Sequence, residues 1–244
     1  MVTRTGGSGA DRLIGTVGGD DMRGGGGNDY IEGQGGPDRL IGDSGDDIIY
    51  GNAFTYESSW WAPPGHPLYN LVASPYDNDT LGGGAGNDTL LDYYGNNRLD
   101  GGDGNDTLES GYGRDTLIGG RGDDYMRGGP GSDIYIPGVG NDFIADSNNG
   151  WIDHDTFAPN YGGNKIDADV LVVEKNLGPI GNDIFDGFDP EFDRIEIQGY
   201  TANQVTNNGD HLAFSDGSLL HVRFENAPDD FPNTLIANEH YFFV

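Results

Sequence analysis

Apolar residues recur at every ninth position through much of this 244-residue chain. The repeating unit has glycine at positions one, two and four, aspartate at position six and an apolar residue at position eight, as in GGSGADRLI (Gly6–Ile14) and GGDGNDTLE (Gly101–Glu109). Five units tile residues 6–50, eight more tile residues 74–145, and position eight is apolar in all thirteen. The chance probability of that agreement is on the order of one in a million, so the period is a property of the fold.

Each unit predicts one very short β-strand. Position eight is apolar and lies between the variable positions seven and nine, which is typical of a strand with one inward-facing residue. A strand of this length is not stable alone, so the units must stack on one another. The pattern therefore predicts an all-β fold made of stacked turns.

Position six forms a row of carboxylates, because it is aspartate in twelve units and asparagine only at Asn97. Glycines at positions one, two and four permit positive φ and let carbonyl oxygens turn toward a common point. A shell of carboxylate and carbonyl oxygens favours Ca²⁺ over zinc or copper, and a flexible backbone cage does not impose the octahedron of Mg²⁺. The predicted calcium ligands are Asp11, Asp20, Asp29, Asp38, Asp47, Asp79, Asp88, Asp106, Asp115, Asp124, Asp133 and Asp142, with Gly6, Gly7, Gly9, Gly24, Gly25, Gly27, Gly83, Gly84, Gly86, Gly101, Gly102, Gly104, Gly119, Gly120, Gly122, Gly128, Gly129 and Gly131.

Residues 6–145 resemble the hemolysin-type, or RTX, calcium-binding repeat family. The resemblance implies a right-handed parallel β-roll with two repeats per turn, in which calcium lies between loops eighteen residues apart. The implied pairs are Asp11–Asp29, Asp20–Asp38, Asp29–Asp47, Asp88–Asp106, Asp106–Asp124, Asp115–Asp133 and Asp124–Asp142. Asn97 and the degraded units Asp92–Asp100 and Ser74–Gly82 depart from the pattern, so we expect the sites near Asn97 to be weak or empty.

Composition narrows the functional classes. A net charge of −29 argues against nucleic acid or an anionic membrane as the main partner. The absence of cysteine excludes disulfides and thiol chemistry. No stretch approaches 18 apolar residues, so the sequence predicts no transmembrane helix.

The charge and the glycines are distributed differently along the chain. Residues 1–145 hold 35 of the 44 glycines and a charge of −15, whereas residues 146–244 hold 9 glycines and a charge of −14. We therefore predict two domains, a calcium-binding roll over 1–145 and a β-rich capping region over 146–244. Roughly eight calcium ions would nearly cancel the charge of the roll, which should be unfolded without them.

Two irregular segments interrupt these patterns. Residues 51–73 carry Trp60 and Trp61 among other aromatics, and they form either a loop packed on the roll or a platform for a glycan or protein partner. Residues 146–168 carry Asp153, His154 and Asp155. We expect these three residues to lie in a solvated loop or to add a set of calcium ligands, and we favour either over a catalytic role.

The sequence of the C-terminal region is typical of ordinary β-strands, without the nine-residue repeat. Strands are predicted at 169–174, 192–198, 211–216 and 218–224, with a hairpin turn at Asp216–Gly217. The segment IFDGFDPEFDRIEI resembles the stretch that follows the repeats in many RTX proteins, where it caps the roll. The N-terminus lacks a Sec signal peptide, and Glu239–Val244 resembles an uncleaved type I secretion signal or forms a final core strand.

Three functional interpretations follow. We favour a secreted, extracellular bacterial protein that folds on binding calcium after type I secretion and is not an enzyme, with calcium ions and the secretion machinery as partners. A calcium-dependent adhesion module using the 51–73 aromatics is the alternative, and an unfamiliar enzyme in 146–244 is less favoured. The sequence contains no HExxH, GxSxG, Walker or cysteine-nucleophile motif.

Overall fold

The computed structural model describes residues 1–52, 78–145, 169–175, 178, 180–188, 193–208, 211–224 and 241–244. Its strands alternate along the chain between two long sheets. The first sheet has ten strands, which are, in spatial order, β1 (Thr3–Thr5), β3 (Asp21–Gly26), β5 (Arg39–Ser44), β7 (Thr80–Ala85), β9 (Arg98–Asp103), β11 (Thr116–Arg121), β13 (Ile134–Val139), β15 (Val170–Glu174), β17 (Arg194–Gln198) and β21 (Tyr241–Phe243).

The second sheet has eleven strands, and a 3₁₀ turn at Ala202–Gln204 precedes one of them. Within the described residues, antiparallel pairing is confined to β18–β19–β20, and the other pairs are parallel. The strands, in spatial order, are β18 (Val205–Asn207), β19 (His211–Phe214), β20 (Leu219–Phe224), β16 (Asn182–Phe188), β14 (Phe143–Ala145), β12 (Tyr125–Arg127), β10 (Thr107–Glu109), β8 (Thr89–Leu91), β6 (Ile48–Asn52), β4 (Tyr30–Gln34) and β2 (Arg12–Thr16).

The pairing register confirms the predicted all-β parallel roll with two repeats per turn. Met22 pairs with Leu40 in the first sheet, and Leu108 pairs with Met126 in the second, so residues eighteen apart are neighbours. Within the repeats, strands of three to six residues are followed by glycine-rich turns, and each turn takes the chain from one sheet to the other. This topology places every second aspartate of position six on the same edge of the roll.

The core lies between the two sheets, and each sheet contributes one file of inward apolar side chains to it. The side chains of position eight are fully buried in twelve of the thirteen units, from Met22 and Ile31 to Tyr135 and Ile144, and Leu13 at the start is partly buried. Leu171, Phe185 and Ile195 continue these files beyond the repeats. Truncation of one of the buried leucines to alanine costs about 2–5 kcal/mol.

The insertion leaves the register of the roll unchanged. Arg39 pairs with Thr80 and Ile48 pairs with Thr89, so the strands on either side of it occupy consecutive turns. Gly51 and Asn52 end β6, so the chain leaves the roll later than the predicted start of the insertion at residue 51. Trp60, Trp61 and the platform prediction lie outside the described residues, as do Asp153, His154 and Asp155.

The C-terminal strands extend both sheets. β15 and β17 continue the first sheet and β16 and β20 continue the second, in parallel register with the roll. The predicted hairpin turn joins β19 to β20, and the Gly217 N–H donates to the Phe214 carbonyl at 3.0 Å. The boundary near residue 145 stays a prediction, and both sheets run across it.

The end of the chain forms the last strand of the first sheet. β21 pairs in parallel with β17, and Tyr241 is buried. Residues 241–243 therefore form the final strand that was one of the two predictions for this segment. Its role as a secretion signal stays a prediction.

Candidate metal centre

The residues of position six form two ladders, one on each edge of the roll. Each member stands at the end of a turn, beside the start of the next strand. We call first ladder the edge formed by Asp11, Asp29, Asp47, Asp88, Asp106, Asp124, Asp142 and Asp183. We call second ladder the edge formed by Asp20, Asp38, Asp79, Asn97, Asp115, Asp133, Asp169 and Asp193.

Successive members of each ladder are joined by a repeated hydrogen bond. The backbone N–H of one member donates to the side-chain Oδ1 of the member one turn later, at 2.7–3.0 Å in the first ladder. The same bond has lengths of 2.5–3.0 Å in the second ladder. All seven pairs implied by the resemblance are joined in this way. The bond fixes the orientation of each side chain, and in each aspartate it uses Oδ1 and leaves Oδ2 for another ligand.

The other oxygen, Oδ2, is buried and has no hydrogen-bond donor among the described residues in most of the first ladder. This applies to Asp29, Asp47, Asp88, Asp106, Asp124, Asp142 and Asp183. These residues are at most 3% exposed. A buried carboxylate oxygen without a partner is strongly unfavourable unless a cation or a proton compensates it.

The glycine of position one leaves space beside that oxygen. A Cβ atom added at Gly24 would overlap Asp29 Oδ2 and would lie 2.8 Å from the carbonyl oxygen of Gly42, in the next turn. At Gly101 the corresponding atoms are Asp106 Oδ2 and the Gly119 carbonyl oxygen, the latter at 2.7 Å. The space therefore joins one carboxylate and one carbonyl oxygen from adjacent turns.

The expectation that position one needs positive φ is wrong. In complete units only positions two and four adopt it, for example Gly102 at 113° and Gly104 at 139°. The glycines of position one, such as Gly24 and Gly101, have ordinary φ and are required because a side chain would fill the space just described. Gln34 and Asp43 occupy position two with φ of 88° and 77°, a region that favours glycine.

Burial raises the pKa of six carboxyl groups of the first ladder. Desolvation is the largest cause, and neighbouring carboxylates add to it, whereas the backbone N–H donor opposes it. The pKa rises to about 6 at Asp47, Asp88 and Asp106, about 7 at Asp142, about 8 at Asp124 and about 9 at Asp183. Without a cation the ladder is therefore a row of carboxylates held in an unfavourable environment.

These oxygens fit a hard divalent cation. Carboxylate and backbone carbonyl oxygens are the ligands that Ca²⁺ takes in proteins. Within the described part of the chain, no group of three or more histidine, cysteine, aspartate or glutamate side chains could hold a metal ion. Carbonyl oxygens must therefore complete any site, which is what the glycine-rich turns offer.

The second ladder differs where Asn97 replaces the usual aspartate and where Ser110 replaces the usual glycine. The Asn97 amide accepts from the Asp79 N–H at 2.9 Å and donates to the Tyr94 carbonyl at 3.2 Å. The Ser110 hydroxyl donates to the Gly128 carbonyl at 3.0 Å. Burial raises the pKa of Asp115 to about 6, against the smaller lowering effects of the Asn97 backbone N–H and the Ser110 side chain, and Asp115 Oδ2 is buried without a hydrogen-bond partner among the described residues. That Asn97 marks a weak or empty calcium site stays a prediction.

Three ladder members lie beyond the repeats and were missed in the sequence. Asp169 and Asp193 directly precede a strand and Asp183 is the second residue of β16, but they follow their ladder partners by 36, 24 and 41 residues rather than 18. The segment Gly181–Phe185 (GNDIF) reproduces positions four to eight of the repeat, which is the signal that could have identified Asp183.

Position five forms an outer ladder that the sequence reasoning also missed. The Asn105 N–H donates to Asn87 Oδ1 at 2.8 Å, and the Asn141 N–H donates to Asp123 Oδ1 at 2.9 Å. These bonds run from the later turn to the earlier one, opposite to those of position six. Adjacent turns are thus joined in both directions, which explains the frequent Asn or Asp at position five.

A parallel roll with rows of inward carboxylates and glycine turns defines a class of calcium-binding repeat protein. The model of the RTX calcium-binding nonapeptide repeat matches residues 5–40, 32–53, 76–108 and 109–144. Over these residues the chain belongs to the RTX family of calcium-binding nonapeptide repeats.

Comparison with solved structures and curated proteins adds little to this assignment. One similar solved structure is the extracellular lipase LipA from Serratia marcescens, with 19% identity and a TM-score of 0.38. The match covers 94% of this chain and 40% of the lipase. No curated protein matches the chain. Within the described residues, no helix has the length and apolar character needed to cross a membrane.

Proposed function

We propose that the chain is a calcium-driven structural module that folds outside the cell after type I secretion and has no catalytic activity of its own. The observation that carries the proposal is the first ladder, where buried Oδ2 atoms without donors among the described residues face the space left by glycine. Calcium would be held by these Oδ2 atoms together with carbonyl oxygens of position one. When bound, it supplies positive charge that compensates the carboxylates.

Coupling between calcium and folding follows from the same contacts. Each repeat contributes one fully inward apolar side chain to the core, and rows of buried carboxylates oppose its formation at neutral pH. The free energy of binding calcium therefore becomes free energy of folding. Sites of extracellular modules have dissociation constants of about 10⁻⁴–10⁻³ M, which cytosolic calcium does not load. The chain would stay extended before export and fold after it.

A calcium titration followed by far-UV circular dichroism tests the proposal. In EDTA the spectrum should be that of a disordered chain, and millimolar Ca²⁺ should convert it cooperatively to β-structure. The same concentration of Mg²⁺ serves as the matched control and should convert it poorly. An identical β-spectrum in EDTA and in calcium would contradict the proposal.

The export step needs its own experiment, in a host that carries a type I exporter. Deletion of residues 239–244 should retain the protein inside the cell. The number of calcium ions bound by the purified deletion protein is the control, because β21 is the outermost strand of its sheet and lies far along the chain from the repeats. Secretion at the normal level after the deletion would contradict the role of this segment.

A further inference from the structure

Two of the five histidines are neighbours on the hairpin formed by β19 and β20. His211 and His221 are directly opposite in the antiparallel pair, with ring centroids 5.2 Å apart. Both residues are partly exposed and alternate with the buried Leu212, Leu220 and Val222. The two rings therefore lie on the outer face of the second sheet, whereas the core lies on its inner face.

The backbone of the hairpin holds the two rings close together. Next to the turn, the Phe214 N–H donates to the Ser218 carbonyl at 2.9 Å. Hydrogen-bonded and non-hydrogen-bonded pairs alternate along antiparallel strands, so His211–His221, three pairs further on, is a non-hydrogen-bonded pair. Side chains approach most closely in pairs of this kind. The distance between the rings is therefore set by the register of the strands.

The spacing of the rings is that of two imidazoles bound to one metal ion. A zinc–nitrogen bond is about 2.0–2.1 Å long, which places the ion about 3.2 Å from the centre of each ring. With a tetrahedral angle at the ion, the two ring centres are then about 5 Å apart. The centroid distance of 5.2 Å matches this value, so an ion can bind both rings without a change in the strand register.

A third polar side chain supports His211 from the end of the neighbouring strand β18. The Asn208 N–H donates to the His211 carbonyl at 3.0 Å, and the Asn208 side-chain amide lies 3.1 Å from His211 Nε2. A side-chain amide can accept a hydrogen bond from a ring N–H through its oxygen. In metal sites, such a partner on one ring nitrogen fixes the tautomer in which the other nitrogen binds the ion. Asn208 is thus placed to hold His211 in the tautomer that binds through Nδ1.

We propose that His211 and His221 bind a divalent ion with affinity for imidazole, such as Zn²⁺, at a site separate from the calcium ladders. Imidazole nitrogen suits Zn²⁺, Ni²⁺ and Cu²⁺, whereas Ca²⁺ takes oxygen ligands, so the two kinds of site select different ions. Two protein ligands leave the remaining coordination positions to water. An ion that binds only the paired strands stabilises the hairpin by mass action. The inference goes beyond the proposed function and does not depend on it.

Calorimetric titration with zinc chloride tests the inference on the full-length protein, with excess calcium present to compete for the carboxylate oxygens. About one zinc ion per chain should bind at the histidine pair. Asn208→Ala should weaken this binding by about tenfold, the lower end of the cost of losing an outer partner, and His211→Ala and His221→Ala should each weaken it by about 100-fold or more. His66→Ala removes a histidine of the insertion and is the matched control, which should leave the affinity unchanged.

Far-UV circular dichroism in calcium verifies that each variant is folded. Equal zinc affinity in the wild type and in a folded His211→Ala/His221→Ala double variant would overturn the inference, as would a wild type that binds no zinc. If the alanine variants do not fold, an anomalous difference map recorded at the zinc edge on wild-type crystals replaces them. A peak in contact with both imidazoles is expected, and its absence would overturn the inference. A chain equally folded in EDTA and in calcium would contradict the proposed function alone.

Discussion

At the scale of single residues, glycine serves two separate purposes in each unit. Positions two and four adopt positive φ, as at Gly25 and Gly27, which permits the tight turn. Position one has ordinary φ and provides space for ligands, as at Gly24. These purposes predict different consequences for the same substitution within one turn.

Gly24→Ala should weaken calcium binding, because its methyl group would overlap Asp29 Oδ2 and crowd the Gly42 carbonyl oxygen. The calcium midpoint of folding should rise several-fold, and the calcium-loaded protein should lose about 1–3 kcal/mol of stability through overpacking. Gly26→Ala is the matched control, since the nearest atom to its Cβ lies at 3.5 Å and its φ is not positive. Equal midpoints for the two variants in a circular dichroism titration would show that position one is not a ligand space.

At the scale of the turn, each first-ladder aspartate belongs to two neighbouring pairs. Asp106 accepts from the Asp88 N–H through Oδ1, and its own N–H donates to Asp124. Asn97 has the same backbone connections in the second ladder, but its side-chain amide is neutral and has hydrogen bonds at both its oxygen and its nitrogen. The two positions therefore separate the role of the hydrogen bond from that of the charge.

Asp106→Asn keeps an acceptor for the Asp88 N–H and removes one carboxylate from two adjacent turns. The calcium midpoint should rise by roughly tenfold, as expected for the loss of about 1.4 kcal/mol of binding. Asn97→Ala should lower thermal stability, because the Asp79 N–H loses its acceptor, while the calcium midpoint changes little. Calorimetric titration and thermal melting measure the two quantities separately, and an equal shift in midpoint for both variants would refute the distinction.

The strict nine-residue spacing made the fold of residues 6–145 predictable from the sequence. The ladder members beyond residue 145 were not predicted, because connections of irregular length separate them. Residues eighteen apart, such as Leu99 and Leu117, could be paired because nothing interrupts the period between them. Asp183 was missed because a longer connection takes it out of the eighteen-residue spacing from Asp142. The hydrogen bond from Ser110 to the Gly128 carbonyl was also hidden, because only the stacked turns bring the two residues together.

At the scale of the whole molecule, the net charge of −29 and the raised pKa values link stability to pH. The folded-state pKa of Asp47, Asp124 and Asp183 lies at about 6, 8 and 9, above the ordinary value of 3.8. Between about pH 4 and 9 the calcium-free fold therefore binds more protons than the unfolded chain, and its stability falls as the pH rises. Calcium and protons compete for the same oxygens.

Acidification should consequently have opposite effects with and without calcium. In EDTA, the β-content measured by circular dichroism should be higher at pH 5 than at pH 8, because protonation compensates the buried carboxylates. In a calcium titration, the midpoint should be higher at pH 5.5 than at pH 7.5, because binding must then displace protons. A calcium midpoint independent of pH would indicate that the ladder carboxylates do not bind the ion.

The most direct measurement is a crystal structure of the calcium-saturated protein with an anomalous difference map that locates the ions. The account predicts anomalous peaks along the first ladder, in contact with Oδ2 of Asp29, Asp47, Asp88 and Asp106 and with carbonyl oxygens of the adjacent turns. Ladder carboxylates without peaks in a folded, calcium-saturated crystal would contradict the central claim that these oxygens are calcium ligands.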